Sequence, residues 1–481
     1  MKEKESIPFA PFLIESMRSL GYSFETAIAD LIDNSISANS KNIELFLLDE
    51  INPYLIVLDD GCGMLNEELV EALRYGSRSP LDKRAEIDLG RFGLGMKSAS
   101  LSQCRKLTVA SKKNGEISCY SWDIDYINEK QNWVLLEFNQ EEILKLPKIE
   151  KLLEKEHGTY LLLQNFDRIS SSTKDLITTL NNYMSLTEEH ISLVFHRFLD
   201  KKTSIYINNN KIIPKDPFLT KNEGTQILKE ENIIVNNQPI KVQPYILPHL
   251  TKMTREDIKK AGGKDDLKNS QGFYIYRNKR LIIYGTWFRL YRKEELTKLA
   301  RIIVDIPSEL DYMWSIDIKK SSANLPDIIK KSLYNCIDQS SGLSTKVHTY
   351  RGKQRKYDGI NYVWNREEDR DKKALYRINR ELPQLKVLID ELSNKQENLL
   401  NSILDNIENC IPSQQIYLDT SKNDISIVDY KESEIVSEVR MLLKTAVSLG
   451  AKEEQMLEEI FKTEPYNKYI ELKEKINKKE E

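Results

Sequence analysis

The stretch ADLIDNS at residues 29–35 decides the fold, together with DDGCG at 59–63 and GRFGLGMKS at 90–98, which follow it in that order. The apolar residues around the first motif recur at helical spacing and predict one buried stripe. This stripe comprises Phe24, Ala27, Ile28, Leu31, Ile32 and Ile36. The first motif is therefore predicted to lie on an amphipathic helix.

Asp30 and Asn34 lie one helical turn apart, so their side chains share a face, flanked by Asp33 and Ser37. A carboxylate can take a proton from a water molecule that attacks phosphorus, and an amide oxygen is a hard ligand that suits Mg²⁺. A solvated polar helix face would contain the same residue types. The first motif alone leaves both interpretations open.

The second motif follows residues 54–58 (YLIVL), which have the length and β-branched content of a buried strand and so place Asp59 at its end. Gly61 and Gly63 allow a tight turn and the close approach of a flat ligand. An exocyclic amine such as that of adenine could then donate to the Asp59 carboxylate. An ordinary hairpin turn would look similar.

In the third motif, Gly90, Gly93 and Gly95 precede a predicted helix that begins at Lys97. Backbone N–H groups at such a helix start can hold phosphate. One glycine-rich loop is weak evidence, but the order and spacing of all three motifs indicate a pocket for Mg-ATP.

These residues resemble the GHKL ATPase superfamily, which holds gyrase, the heat-shock chaperone, sensor kinases and MutL, and they look most like its MORC branch. The resemblance implies an α+β chain with three parts. Residues 1–190 would form a two-layer α/β sandwich ATPase domain of the Bergerat fold, residues 191–348 an α/β transducer-like (S5-type) domain, and residues 349–481 a helical interaction region.

The resemblance also implies roles for single residues. Asp30 stands at the position of the general base, Asn34 at that of the Mg²⁺ ligand and Asp59 at that of the adenine-binding aspartate. Lys97 is implied as a phosphate contact, and Thr159 as the threonine that helps to hold adenine through water. The full implied ATP-binding set is Asn34, Asp59, Gly61, Gly63, Met64, Gly90, Arg91, Phe92, Gly93, Leu94, Gly95, Met96, Lys97, Ser98 and Thr159.

Two residues depart from the family pattern. Asp30 replaces the usual glutamate, and Ser37 replaces a second acid that is often found in this helix. Aspartate is one methylene shorter, and a shift of about 1 Å in a catalytic group can cost on the order of 10²-fold in rate. Slow hydrolysis is therefore predicted.

Strand patterns further along the chain predict a second domain: a hairpin over 201–213, two strands over 272–283 and a strand over 301–306. Residues 314–321 (WSIDIKKS) resemble the lysine-bearing transducer loop of the superfamily, which implies that Lys319 or Lys320 reaches the γ-phosphate and assists catalysis. An ordinary pair of surface lysines is the alternative.

Composition limits the function classes. Lys and Arg total 71 against 74 acidic residues, for a formal net charge of −3, which excludes a wholly basic nucleic-acid binder. A basic, aromatic patch at 350–357 (YRGKQRKY) suits DNA contact, but a solvated linker would also contain these residues.

The sequence lacks an 18-residue apolar span and a signal-peptide core, so a cytoplasmic protein is predicted. The five cysteines form no Cys-x-x-Cys pair, which argues against a zinc site.

Two further segments suggest contacts with other molecules. Helical patterns over 376–403 and 434–476, interrupted at Pro383 and at 412–424, predict a docking or dimer-supporting module. Near the N terminus, an apolar stripe that includes Phe9 and Phe12 either crosses to a second subunit, as in relatives, or covers its own domain.

The resulting prediction is a MORC-like ATPase with ATP and Mg²⁺ as cofactors, which closes as a homodimer on ATP. Its predicted partners are duplex DNA and a protein such as a nuclease or helicase, in a bacterial defence or restriction-like system, with no membrane contact. Two alternatives stay open: a non-hydrolysing ATP-sensing scaffold, and a chaperone-like ATPase that acts on protein clients.

Overall fold

A computed structural model describes two compact units, residues 1–344 and 345–481. The described residues are 8–19, 21–48, 50–76, 89, 95–199, 202–263, 267–295, 297–314, 325–334, 336–337, 361–368, 374–422, 431–473 and 476.

The first unit begins with an eight-stranded sheet in the order β5-β4-β3-β6-β2-β1-β7-β8. Its strands are β1 (Asn42–Leu48), β2 (Tyr54–Asp59), β3 (Lys106–Lys113), β4 (Glu116–Asp123), β5 (Leu136–Glu137), β6 (Gly158–Gln164), β7 (Ser204–Ile207) and β8 (Asn210–Lys211). All six residues of β2 are buried, as the apolar run at 54–58 predicts. Because β2 pairs with β6 so that Asp59 lies opposite Thr159, two predicted site residues meet where two interior strands end and begin.

Helices accompany this sheet. They are α1 (Ala10–Arg18), α2 (Phe24–Ser37), α3 (Asn66–Leu73), α4 (Gly95–Gln103), α5 (Ile124–Lys130), α6 (Gln140–Ile143), α7 (Glu150–Leu153), α8 (Asp167–Ser170), α9 (Leu176–Val194) and α10 (His196–Leu199). Every member of the predicted apolar stripe is buried on α2, which confirms the amphipathic helix. This stripe joins the main core together with residues of α4 and α9.

A second, six-stranded sheet follows in the same unit. Its main path is β10-β11-β14-β12-β13, and β9 pairs with β11. The strands are β9 (Gln226–Ile227), β10 (Glu231–Val235), β11 (Gln238–Ile246), β12 (Gly272–Arg277), β13 (Arg280–Thr286) and β14 (Ala300–Ile306), and the associated helices are α11 (Arg255–Lys260) and α12 (Asp311–Trp314). Tyr274, Tyr276 and Leu281 of this sheet lie in the same hydrophobic core as α2. The second sheet therefore packs on the domain that carries the motifs.

The predicted hairpin over 201–213 forms as β7 and β8, and it extends the first sheet instead of the second. Ser204–Ile207 pairs in parallel with β1, which brings Ile205 and Ile207 into the first core. The predicted limits of the three domains stay predictions.

The second unit holds the strands β15 (Trp364–Glu368) and β16 (Ala374–Ile378) and the helices α13 (Pro383–Glu391), α14 (Asn394–Asn409), α15 (Ser413–Lys422), α16 (Glu432–Ser448) and α17 (Glu453–Phe461). The prediction of a helix from Tyr376 is wrong, because this residue lies in an antiparallel strand pair. Pro383 opens α13 instead of interrupting it, since the first turn of a helix needs no N–H group there. The predicted interruption at 412–424 likewise contains a helix.

Within the described part of the chain, each helix is too short or too polar to cross a bilayer.

Candidate nucleotide site

Asp59 is the buried acidic group at the centre of the site, with 3% of its surface exposed. Its Oδ1 accepts hydrogen bonds from the backbone N–H groups of Gly61 (2.9 Å) and Thr159 (3.2 Å), and its Oδ2 accepts one from the Ser35 hydroxyl (2.8 Å). Burial raises the pKa of the Asp59 carboxyl, and these three hydrogen bonds oppose the rise. A helix, a turn and a strand thus fix one carboxylate at the end of β2.

The glycine turn after Asp59 presses against β3. Gly63 has φ of +62°, and a Cβ there would lie 2.0 Å from the carbonyl oxygen of Lys112, so no larger residue fits. The next N–H group, that of Met64, donates to Ser111 Oγ at 2.9 Å, and this hydroxyl donates to the Gly158 carbonyl at 3.0 Å. The turn is thereby tied to both neighbouring strands.

Asp30 lies on α2 and is also buried. The Tyr22 hydroxyl donates to its Oδ2 at 2.9 Å. A Cβ at Gly95 would lie 3.7 Å from the same oxygen, so the start of α4 lies beside the Asp30 carboxylate. The first and third motifs therefore meet at this point.

The polar face of α2 is not a solvated surface at Asp30 or Asp33. Both residues are buried, and Asp33 Oδ1 accepts a hydrogen bond from Arg280 Nε at 3.0 Å. Asn34, which follows Asp33 on the same helix, is exposed. The solvated-face interpretation is therefore wrong for the two acids, whereas the amide remains accessible to a ligand.

The start of α4 has features that fit a bound phosphate. The helix begins at Gly95, and Ser98 on its first turn is buried, with no hydrogen-bond partner for its hydroxyl among the described residues. A buried hydroxyl of this kind calls for a partner, and free N–H groups at a helix start favour an anion. Together with the carboxylate at Asp59 and the exposed amide of Asn34, the donor set fits a nucleotide with Mg²⁺. Met96 is half-buried beside the main core.

Lys97 instead contacts the end of α3. Its buried Nζ donates to the carbonyl oxygens of Ala72 (2.9 Å) and Arg74 (2.6 Å) and lies 5.5 Å from the centre of the Tyr75 ring. Burial lowers the pKa of the ammonium to about 8, and the nearby Glu71 carboxylate opposes the fall. In this structure Lys97 thus caps a helix, and its predicted phosphate contact stays a prediction.

This geometry predicts a pH-dependent difference between the wild type and Lys97→Met. The folded ammonium releases its proton near pH 8, whereas an unfolded lysine does so near about pH 10.4. The unfolded chain therefore binds more protons in this range, and the wild-type stability should rise relative to the variant as the pH increases from about 8 to about 10. Urea unfolding of both proteins at these two pH values measures the difference in the free energy of unfolding. The same difference at both pH values would contradict the assignment.

The same variant tests the predicted phosphate contact. A loss of ATP affinity above about tenfold in Lys97→Met would support this contact.

The remaining predicted site residues cannot be placed. Gly90, Arg91, Phe92, Gly93, Leu94, Lys319, Lys320 and the basic patch at 350–357 lie outside the described residues.

Three residues that support the site had not been predicted from the sequence: Tyr22, Ser35 and Ser111. Ser35 follows Asn34 directly, and its place on α2 next to the end of β2 depends on how the helix packs on the sheet. Tyr22 precedes the helix and contacts Asp30 eight residues later. The sequence separations of the Tyr22–Asp30 and Ser35–Asp59 contacts match neither the helical nor the strand period. The pattern of apolar residues therefore could not predict these two contacts.

The fold and the site define a GHKL-type ATPase domain. Residues 22–159 match the family described as histidine kinase-, DNA gyrase B-, and HSP90-like ATPase, and this range includes all three motifs and Thr159. The chain therefore contains an ATPase domain of this family, which confirms the predicted superfamily. A domain of this family implies ATP binding and, typically, Mg²⁺.

Relatives with this domain span different functions. The chain is 34% identical to the ATPase morc-1 of Caenorhabditis elegans over 94 residues, which cover 19% of this chain and 11% of the relative. It is 29% identical to the DNA mismatch repair protein MutL of Rickettsia felis over 107 residues, or 22% and 18% of the two chains. It is also 29% identical to the chaperone protein HtpG of Rickettsia typhi over 136 residues, or 26% and 21%. The matches thus span about a fifth or less of each relative's length.

Proposed function

We propose that this protein is a MORC-like ATPase that binds Mg-ATP between α2, the glycine turn and the start of α4, closes as a homodimer on ATP binding, and hydrolyses the ATP slowly. The observation that carries the proposal is the convergence of the three motifs on one site. Asp59 is fixed by three donors, and Asp30 lies beside the start of α4.

Asp59 recognises the base in this proposal. Its carboxylate accepts a hydrogen bond from the exocyclic amine of adenine, in an orientation set by Ser35, Gly61 and Thr159. Gly63 lets the turn pack directly against β3. Binding of the base would thereby use a turn that is fixed at the end of an interior strand.

Asp30 is the proposed general base. The hydrogen bond from Tyr22 holds its carboxylate in position, where it can take a proton from the attacking water. Asn34 would hold Mg²⁺ through its exposed amide, and the ion would neutralise charge on the phosphates when bound. Ser98 and the first N–H groups of α4 would contact the phosphate oxygens. Lys319 or Lys320 remains the proposed contact of the second domain to the γ-phosphate.

The aspartate at position 30 supports slow turnover. Its side chain is one methylene shorter than that of glutamate, so the carboxylate starts farther from a water positioned for the longer residue. Misplacement by about 1 Å can lower the rate on the order of 10²-fold.

The exposed part of α1 supports a second subunit as partner. Ala10 and Ile14 of this helix are buried in their own domain, whereas Phe9 and Phe12 are 43% and 73% exposed. The two rings lie 4.8 Å apart and form an apolar patch. A second copy of the chain, bound when ATP orders the site, would cover this patch.

Action on DNA, with a partner such as a nuclease or helicase, is the part of the proposal that rests on resemblance. The similarity to the ATPase morc-1 and to a DNA mismatch repair protein supports it. A bacterial defence or restriction-like setting is proposed on the same family analogy. The similarity to a chaperone protein supports the alternative of protein clients.

Light scattering tests the proposed dimer. We expect ATP and a non-hydrolysable analogue, but not ADP, to produce wild-type dimers, and Phe12→Ser to shift their formation to at least about tenfold higher protein concentration, because burial of one Phe side chain contributes about 1.5–3 kcal/mol. Ile213→Ser is the matched control, since Ile213 is also 73% exposed but lies after β8. Dimers that form equally well with ADP, or in Phe12→Ser as in the wild type, would contradict the proposal.

Phosphate release in the same samples separates the alternatives. A rise in turnover with duplex DNA supports a DNA-directed ATPase. Dimers without any phosphate release indicate the ATP-sensing scaffold, and turnover that rises with unfolded protein instead of DNA indicates the chaperone-like ATPase.

A further inference from the structure

We propose that Arg277 and Arg280, which flank the turn between β12 and β13, are positioning residues that fix the nucleotide helix α2 and Leu89, the residue before the third motif, on the second sheet. This inference rests on the proposed ATPase function and adds two residues that no sequence motif indicated.

The turn between β12 and β13 presents the two guanidinium groups together. Arg277 and Arg280 pair directly across the hairpin, so their side chains leave the sheet on the same face. Asn278 and Lys279 between them have φ of +47° and +70°, the signs of a tight type I′ turn. Both arginines are buried, which is rare for a cation without fixed partners.

Arg280 contacts α2. Its Nε donates to Asp33 Oδ1 at 3.0 Å, and its guanidinium lies 4.3 Å from the centre of the Phe195 ring. Asp33 lies between Asp30 and Asn34 on the helix and is buried. An ion pair at this position fixes the rotation of α2 about its axis, and hence the directions of the proposed base and Mg²⁺ ligand.

Arg277 contacts Leu89, the residue before the third motif. Its Nη1 donates to the carbonyl oxygen of Leu89 at 3.1 Å, and its Nε lies 2.8 and 2.7 Å from the two carboxylate oxygens of Asp311 at the start of α12. The N–H group of Leu89 donates to Ser37 Oγ at 3.0 Å. Leu89 is therefore held between the end of α2 and the second sheet.

Both contacts act on the same site from one hairpin. A displacement of the second sheet would move α2 through Arg280 and Leu89 through Arg277. The planar guanidinium directs Nε to Asp311 and Nη1 to Leu89 in a fixed fork, a geometry that the single nitrogen of a lysine ammonium does not reproduce. The pair is thus suited to couple sheet position to the alignment of the proposed catalytic groups.

Steady-state kinetics of Arg277→Met test the inference. We expect kcat to fall at least about tenfold while KM and the affinity for a non-hydrolysable ATP analogue stay within about threefold, because alignment is lost but the Asp59 pocket is kept. Arg277→Lys keeps a cation beside Asp311 and so protects folding, and we expect it to lower kcat at least about fivefold as well. Removal of Asp311 in addition to Arg277 should lower kcat no further, since both groups hold the same contact.

Arg197→Met is the matched control. Arg197 forms an ion pair with Asp305 at 2.6 Å, and this pair also joins the first domain to the second sheet, but it connects α10 to β14. We expect this variant to lose thermal stability and keep its kcat. If the wild type hydrolyses ATP but kcat is unchanged in both Arg277 variants, the inference is overturned and the proposed ATPase function stands. An equal fall of kcat in Arg197→Met would have the same meaning. A wild-type protein that binds no ATP or releases no phosphate would overturn the proposed ATPase function and the inference with it.

Discussion

Replacement of Asp59 by alanine is expected to weaken ATP binding at least about 100-fold. The variant loses a charge-assisted hydrogen bond to the adenine amine, which contributes about 1.5–3 kcal/mol. It also leaves the donors of Ser35, Gly61 and Thr159 without their acceptor, so the turn beneath the base loses its fixed position. Titration with a fluorescent ATP analogue measures the loss.

The neighbouring carboxylate provides the control for this variant. Asp60 also follows β2, but its Oδ1 accepts hydrogen bonds from the backbone N–H groups of Lys41 (2.7 Å) and Asn42 (2.9 Å), at the start of β1. Asp60→Ala should lower stability by about 1–3 kcal/mol and keep the ATP affinity within about threefold. If Asp59→Ala binds ATP as tightly as Asp60→Ala does, Asp59 does not recognise the base.

Asp30→Asn is expected to lower kcat by about 10²–10⁴-fold, the usual contribution of a general base. The amide has the same shape, and its oxygen can still accept the Tyr22 hydrogen bond, so ATP binding and folding should stay close to wild type. Phosphate release under saturating ATP measures kcat, and analogue binding measures the affinity separately.

Tyr22→Phe separates orientation from proton transfer at the same site. It removes only the hydroxyl that holds Asp30, so its kcat should fall by about tenfold, less than that of Asp30→Asn. Turnover of Asp30→Asn at the wild-type rate would show that another group activates the water, and Asp30 would lose the proposed role.

The sequence predicted the local features of the fold well, because they depend on short-range periodicity. The apolar stripe of α2 is buried in the main core, and the continuous apolar run of β2 is buried on both faces of the sheet. The same reasoning placed Asp59 at a strand end and predicted a helix from Lys97, two residues after the observed start at Gly95. Prediction failed at β16, where the five-residue strand of Ala374–Ile378 is too short and too mixed in character to differ from a helical pattern.

The contacts that align the site could not be predicted from local patterns. Arg280 and Asp33 are 247 positions apart, and their ion pair depends on the packing of the second sheet against α2. Lys97 stands in the third motif where a phosphate contact is implied, but its long side chain reaches the carbonyl groups at the end of α3. Which partner a side chain contacts depends on the distances between helices and strands in the folded protein. A short sequence motif carries no information about these distances.

The most direct test of the proposed nucleotide site is the equilibrium binding of radiolabelled ATP, measured by dialysis with Mg²⁺ and with EDTA for the wild type and Asn34→Ala. We expect one ATP per chain, bound at least about tenfold more tightly with Mg²⁺ than with EDTA. We expect this dependence to disappear in Asn34→Ala, because the exposed amide of α2 is the proposed ligand of the ion. Absence of saturable ATP binding by the wild type, or equal Mg²⁺ dependence in both proteins, would contradict the proposed site.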